Sequence, residues 1–153
     1  MSTESRDDLL QRFIAGPERI RQALGDAVGE AILEPGLEGW SVRDVLVHLS
    51  DAEVLRAIRF RLILAEDPNP LPFFDQEVWR ERLGYEGRDP RLAIAIYEAT
   101  IVSSHELVAA LGGSALDRTG LHPEEGPITV RELVTRGANH ADEHAAQIRA
   151  LLA

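Results

Sequence analysis

Cysteine is absent from the 153 residues, which removes disulfides, thiolate metal ligands and a cysteine nucleophile, and is compatible with a reducing compartment. Lysine is absent too: all 16 basic residues are arginine, so Schiff-base chemistry and the lysine of Walker phosphate loops are excluded. No segment approaches the ~18 uninterrupted apolar residues of a membrane span. The first residues, MSTESRDDLL, lack a basic stretch followed by an apolar run, and a cytoplasmic protein with no membrane partner is expected. Positive charge is the minority: 16 basic against 26 acidic residues give a net charge of −10, which repels a phosphate backbone and argues against nucleic acid as a partner.

Apolar residues make up 44% of the chain, enough for one core at this length, and a single domain over residues 1–153 is expected. No internal repeat is visible, and glycine and proline divide the chain into helical stretches. The first spans about Ser5 to Val28, with a break at Gly16-Pro17, where Pro17 can open a new helix. The second starts at Ser41, a capping residue, with Asp44 at the positive helix end and Trp40 stapled on Val45, and runs to about Glu66. The segment Asp67-Pro68-Asn69-Pro70-Leu71-Pro72-Phe73-Phe74 ends it, and a short helix follows around Asp75 to Leu83. A third long helix spans about Pro90 to Leu111, stopped by Gly112-Gly113. The last opens on a Thr129/Glu132 capping box with an Ile128–Leu133 staple and runs to the C-terminus. No strand is expected. The pattern predicts an all-α four-helix bundle with a short extra helix between helices two and three.

On the last helix Leu133, Gly137, His140, His144, Ile148 and Leu151 fall on one inward stripe. Two imidazoles four residues apart sit ~5 to 6 Å apart at Cβ, close enough to bind one metal ion at Zn–N lengths of ~2.0 to 2.1 Å. Gly137, one turn earlier, leaves room beside them. His48 borders the apolar stripe of the second helix, with Val45, Ala52 and Leu55, and can supply a third nitrogen. A histidine on a core stripe is also commonly just a hydrogen-bonded core residue, and spacing alone leaves both readings open.

The run Gly39-Trp40-Ser41-Val42-Arg43-Asp44-Val45-Leu46-Val47-His48-Leu49, followed by Ile128-Thr129-Val130-Arg131-Glu132-Leu133 and Asn139-His140-Ala141-Asp142-Glu143-His144-Ala145-Ala146-Gln147-Ile148, resembles the DinB-like superfamily over nearly the whole chain. The resemblance implies a four-helix bundle holding one divalent metal ion on a histidine of the second helix and an H-x-x-x-H pair of the last. Here those are His48, His140 and His144. Neutral imidazoles suit Zn²⁺, Ni²⁺ or Fe²⁺, and three protein ligands leave a position open. The resemblance further implies a small-molecule substrate, a homodimer, and either transfer of a low-molecular-weight thiol, bound at the metal as thiolate, or metal-dependent hydrolysis. A bundle in which the ion only cross-links helices is the non-catalytic alternative, and solvent access to the fourth position separates the two.

Two other metal chemistries fail on spacing. A zincin needs glutamate directly after the first histidine, and Ala141 stands there. A di-iron bundle needs glutamate three residues before histidine; Val45, Val102, Gly137 and Ala141 occupy those places. Asp51, one turn past His48, and Asp142 and Glu143 beside the pair are candidates for orienting an imidazole or acting as base. Arg56 and Arg59 are candidates to clamp a substrate carboxylate. Phe73, Phe74, Trp79 and Tyr85 can wall a pocket, His105 reads as a packing residue, and His122 as an exposed loop histidine.

Overall fold

The computed structural model describes residues 3–67 and 69–153; Pro68, within the expected helix-ending segment, lies outside them. Helix α1 (Arg6–Ile14) is capped by the Ser5 side chain, which accepts from the amide of Asp8. It gives way at Ala15 to α2 (Gly16–Leu24), with Pro17 in its first turn. The break has a packing reason as well as a local one. A Cβ on Gly16 would lie 3.0 Å from the Tyr97 hydroxyl and 3.1 Å from the Ala141 methyl, so any larger residue would make these neighbours give by a few tenths of an ångström. Gly25, at φ 56°, ends α2, four residues short of the expected Val28, because its left-handed backbone turns the chain away. A single helical turn, α3 (Glu30–Leu33), follows.

Helix α4 (Val42–Ala65) and helix α7 (Val130–Leu152) both open on complete capping boxes, Ser41 with Asp44 and Thr129 with Glu132. Between them lie α5 (Gln76–Arg82), capped by Asp75, and α6 (Pro90–Ala109), capped by Asp89. The bent α1–α2 arm, α4, α6 and α7 form the four-helix bundle: α4 packs on α6 and α7, and α7 packs on both halves of the arm. Leu9, Phe13, Ile20, Val45, Leu49, Phe60, Tyr97, Ile101, Leu133 and Ile148 fill its centre.

Two features depart from the sequence expectation. First, the chain contains strands: β1 (Thr119–His122) and β2 (Gly126–Thr129) pair antiparallel, with Thr119 opposite Thr129 and His122 opposite Gly126. Gly126 at φ 78° closes a three-residue hairpin loop of the kind that ends in a left-handed glycine. Pro70 bridges to Leu121 on the other side. Second, among the described residues one helix, α6, is long and apolar enough to cross a membrane by length and mean hydropathy, 1.3. Its inner side, Ala93, Ile94, Tyr97, Ile101, Ser104 and Val108, is instead buried in the bundle.

Candidate metal centre

His48 projects from the second turn of α4, and His140 and His144 from successive turns of α7. The Nε2 atom of His140 lies 2.9 Å from Nε2 of His48 and 2.9 Å from Nε2 of His144. Tetrahedral bonds of ~2.0 to 2.1 Å would hold such atoms ~3.3 Å apart, so a divalent ion fits with shifts of a few tenths of an ångström. His48 is buried, and the other two are half-buried.

The proton inventory of this cluster favours a cation. His144 Nδ1–H donates to Gln147 Oε1 at 2.7 Å, which leaves the lone pair of its Nε2 facing the other two rings. One N–H on His140 cannot point at both neighbours, so at least one close nitrogen pair lacks a well-aligned proton between its members. Nδ1 of His48 and of His140 are buried with no hydrogen-bond partner among the described residues.

Burial is the main cause of the lowered basicity of all three. It brings His48 down to about 3, with the positive charge of His144 and Arg56 acting in the same sense. His140 is held lower still by burial, then by Arg56 and its two partners. His144 is lowered less, because the bond to Gln147 and the nearby Glu143 carboxylate oppose burial. The three rings are therefore neutral at pH 7, the form that ligates.

A cavity of about 160 Å³ opens beside His144, lined by Glu38, Trp40, Gln76, Glu77 and Gln147. Trp40 stands edge-on to His48 with ring centres 5.6 Å apart, and its indole N–H donates to Glu77 Oε1 at 3.0 Å. Arg80 covers the other side of the indole, 5.2 Å from the ring centre, and donates to the carbonyl of Gly39. Phe74 lies 6.2 Å from His48 and packs on Trp79 at 4.4 Å. The connection between α4 and α5, with α5 itself, thus walls the histidines, as its aromatic content suggests.

The other sequence candidates lie elsewhere. Asp51 accepts from the Tyr85 hydroxyl at 2.9 Å and faces Arg88, so Tyr85 serves that pair. Asp142 pairs with Arg19 and Arg12 on the outside of the bundle, and Glu143 is exposed. Arg56 is buried against the fully buried Glu53, while Arg59 donates to the carbonyl of Pro72 at 2.9 Å. The two arginines diverge and form no clamp. The space left by Gly137 is already used: a Cβ there would lie 2.6 Å from the Phe13 ring and 3.3 Å from Arg56 Nη1. His122 is buried rather than exposed. Its Nδ1 accepts from the amides of Glu124 and Glu125, and its ring meets Phe73 edge-on at 5.6 Å. His105 is half-buried on α6, outside the cluster. Sequence reasoning missed Gln147, three residues after His144 and so on the same helix face, and the lining roles of Glu38, Gln76 and Glu77; Trp40 was legible only as a staple.

The sequence model of the DinB superfamily matches residues 5–148. The chain belongs to the DinB superfamily. It is 29% identical over 113 residues to an Oceanobacillus iheyensis protein named "Putative metal-dependent hydrolase OB0782", covering 74% of this chain and 65% of that protein, just under two thirds of its length. It is 26% identical over 153 residues to Bacillus subtilis YfiT, which bears the same kind of name, covering 99% of this chain and 86% of that protein. The solved structure of YfiT superposes with a TM-score of 0.88 at 24% identity, over 99% of this chain and 89% of that one, and is described as having "an unusual four-helix bundle topology". The bundle with its bent first arm is thus the DinB fold.

Proposed function

We propose that this DinB-superfamily chain is a metal-dependent hydrolase of a small molecule, with His48, His140 and His144 as the ligands of one divalent ion. The observation that carries the reading is the convergence of three neutral imidazole Nε2 atoms beside an open polar mouth. A closed site would favour a structural ion; an accessible one leaves a position for water and substrate. The names borne by OB0782 and YfiT support the same reaction class.

A divalent ion held by His48, His140 and His144 would supply Lewis acidity, enough to bring the ionisation of water from ~15.7 toward ~7. The chain's own residues do the rest. Gln147 fixes the His144 ring by accepting its Nδ1–H. Trp40 and Phe74 exclude bulk water from the His48 side. Glu38 is the mouth carboxylate available to receive a proton from water or to pass one to the leaving group. Glu77 is committed to Trp40 and Arg80 and shapes the wall instead.

Thiol transfer would use the same three ligands, with a thiolate in the open position. The mouth carries two carboxylates and no cationic lining residue, which disfavours thiol carriers that bear carboxylates of their own and favours water. Elemental analysis of the untagged, natively purified protein is expected to find about one equivalent of zinc, nickel or iron. The single variants His48→Ala, His140→Ala and His144→Ala should each lose it while keeping a helical circular dichroism spectrum. Equal metal content in all four proteins would refute the ligand set.

A further inference from the structure

The mouth beside His144 does not end at Gln147. A groove of about 440 Å³, lined by Gly36, Leu37, Ala150 and Leu151, shares Glu38, Trp40 and Gln147 with it, so the two spaces adjoin across these three side chains. The groove runs between the loop preceding α4 and the C-terminal turns of α7. Its position is fixed by tight packing at one point: a Cβ on Gly36 would fall 2.4 Å from the Leu151 side chain, so the loop lies directly on the helix there and stands away from it around that contact. Leu37 is fully exposed, an apolar side chain with no protein surface to cover it.

The chemistry of the lining changes along this path. Next to His144 it is polar, with two carboxamides and two carboxylates around a space of about 160 Å³. Past Gln147 it is apolar, with Leu37, Ala150, Leu151 and the face of Trp40, and Glu38 as the charged side chain. Neither stretch is lined by arginine. The groove's volume lies in the ~300 to 1,000 Å³ range of small-molecule sites, where apolar walls supply affinity and a few polar groups fix orientation.

We infer that the substrate of this site is an amphiphile whose tail carries no negative charge: a compact polar head beside the three histidines, and an apolar tail of several carbons over Gln147 into the Leu37/Ala150/Leu151 groove. The inference rests on the metal-site reading above for the placement of the head. Complementarity decides the sign of charge. A carboxylate or phosphate on the tail would meet Glu38 in a groove whose lining holds no cation, and desolvating it there is unfavourable. The tail gains by covering the otherwise exposed Leu37.

Three metal-chelating probes test this on the zinc-loaded full chain: acetohydroxamic acid, octanohydroxamic acid and suberic acid monohydroxamate, which has the same carbon count as the second but ends in a carboxylate. Titration calorimetry is expected to show octanohydroxamate binding at least tenfold more tightly than acetohydroxamate, and the carboxylate-ended probe losing most of that advantage. Leu37→Glu, a change at a solvent-exposed loop position, should cut the octano/aceto ratio to threefold or less. If acetohydroxamate and octanohydroxamate bind with equal affinity, the groove is not the tail site, although the metal reading stands. Absence of zinc uptake and of any hydroxamate binding overturns the metal reading, and the substrate inference falls with it.

Discussion

At the residue scale, the three imidazoles differ in what holds them. His144 has its Nδ1–H fixed by Gln147 at 2.7 Å, whereas Nδ1 of His48 and of His140 have no partner among the described residues and those rings are oriented by packing against Trp40, Phe74 and each other. Outer partners of metal-bound histidines typically carry ~10- to 100-fold in affinity. Gln147→Leu should therefore weaken zinc or cobalt binding by about that factor in a chelator-competition titration, with the thermal stability of the metal-free protein little changed. Gln147→Glu keeps an acceptor at the same place and should retain the affinity. Indistinguishable affinities for wild type and Gln147→Leu would mean that packing alone orients His144. The buried Glu53–Arg56 pair belongs to a different account. Burial pushes the Glu53 carboxyl up and Arg56 pulls it down, so the two charges sustain each other in the core. Removing either alone would strand the other, at a cost of ~3 to 5 kcal/mol. A loss of activity in an Arg56 variant would first have to be separated from this loss of stability.

At the scale of elements, the small hairpin does for the α4–α5 connection what no helix could. Asn69 donates its side-chain amide to the carbonyls of Leu62 and Glu66 at the end of α4, closing off the helix. Its own carbonyl accepts from the amide of Leu121, and the amide of Leu71 donates to Leu121 in return. A Cβ on Gly120 would come within 2.6 Å of the Asn69 side chain, so that contact needs glycine in β1. This clamp places Phe73 on His122 and Phe74 on His48. Asn69→Ala should speed amide hydrogen exchange in residues 69–74 and in β1 by tenfold or more, through ~1 to 3 kcal/mol of lost hydrogen bonding, with the centre of α6 unaffected. Unchanged exchange in that connection would show that the aromatic packing holds it without the clamp.

The same elements explain what the sequence makes legible. Capping boxes at Ser41/Asp44 and Thr129/Glu132 are local, and both helices begin where those residues say. The hairpin is not local in that sense: Thr-Gly-Leu-His and Gly-Pro-Ile-Thr are too short to show alternation, and each carries a glycine or proline that reads as a loop. The environment of His122 follows from the hairpin and was misread with it. The histidine stripe was legible because 3.6-residue periodicity is enough to aim His140 and His144 inward. The mouth was not, since Glu38, Gln76 and Glu77 meet Gln147 only through the tertiary fold.

At the scale of the whole molecule, the three buried histidines tie stability to protons and, through the proposed site, to metal. In the metal-free protein, His48 titrates near 3 when folded and near its ordinary value, ~6.5, when unfolded. The unfolded chain therefore binds more protons throughout that window. The contribution of neutral His48 is fully present above pH 6.5 and is lost as pH falls toward 3, at up to ~1.4 kcal/mol per pH unit. His140 and His144 are lowered as well and act in the same direction. Glu53 acts in the opposite direction, because its carboxyl is raised by burial and protonation relieves it. Between pH 7.5 and 5.5, above most of the carboxylate range, the histidines dominate, and the urea midpoint of the chelator-treated protein should fall. A His140→Gln/His144→Gln double variant should flatten that fall. Adding zinc at a thousand times its dissociation constant should raise wild-type stability by ~4 kcal/mol, because the proposed site exists only when folding joins α4 to α7, and the rise should shrink as acid competes for the same nitrogens. A midpoint that stays level from pH 7.5 to 5.5 in the metal-free wild type would mean that the rings take up protons in the folded state, which is incompatible with their burial as a neutral, ligand-ready set.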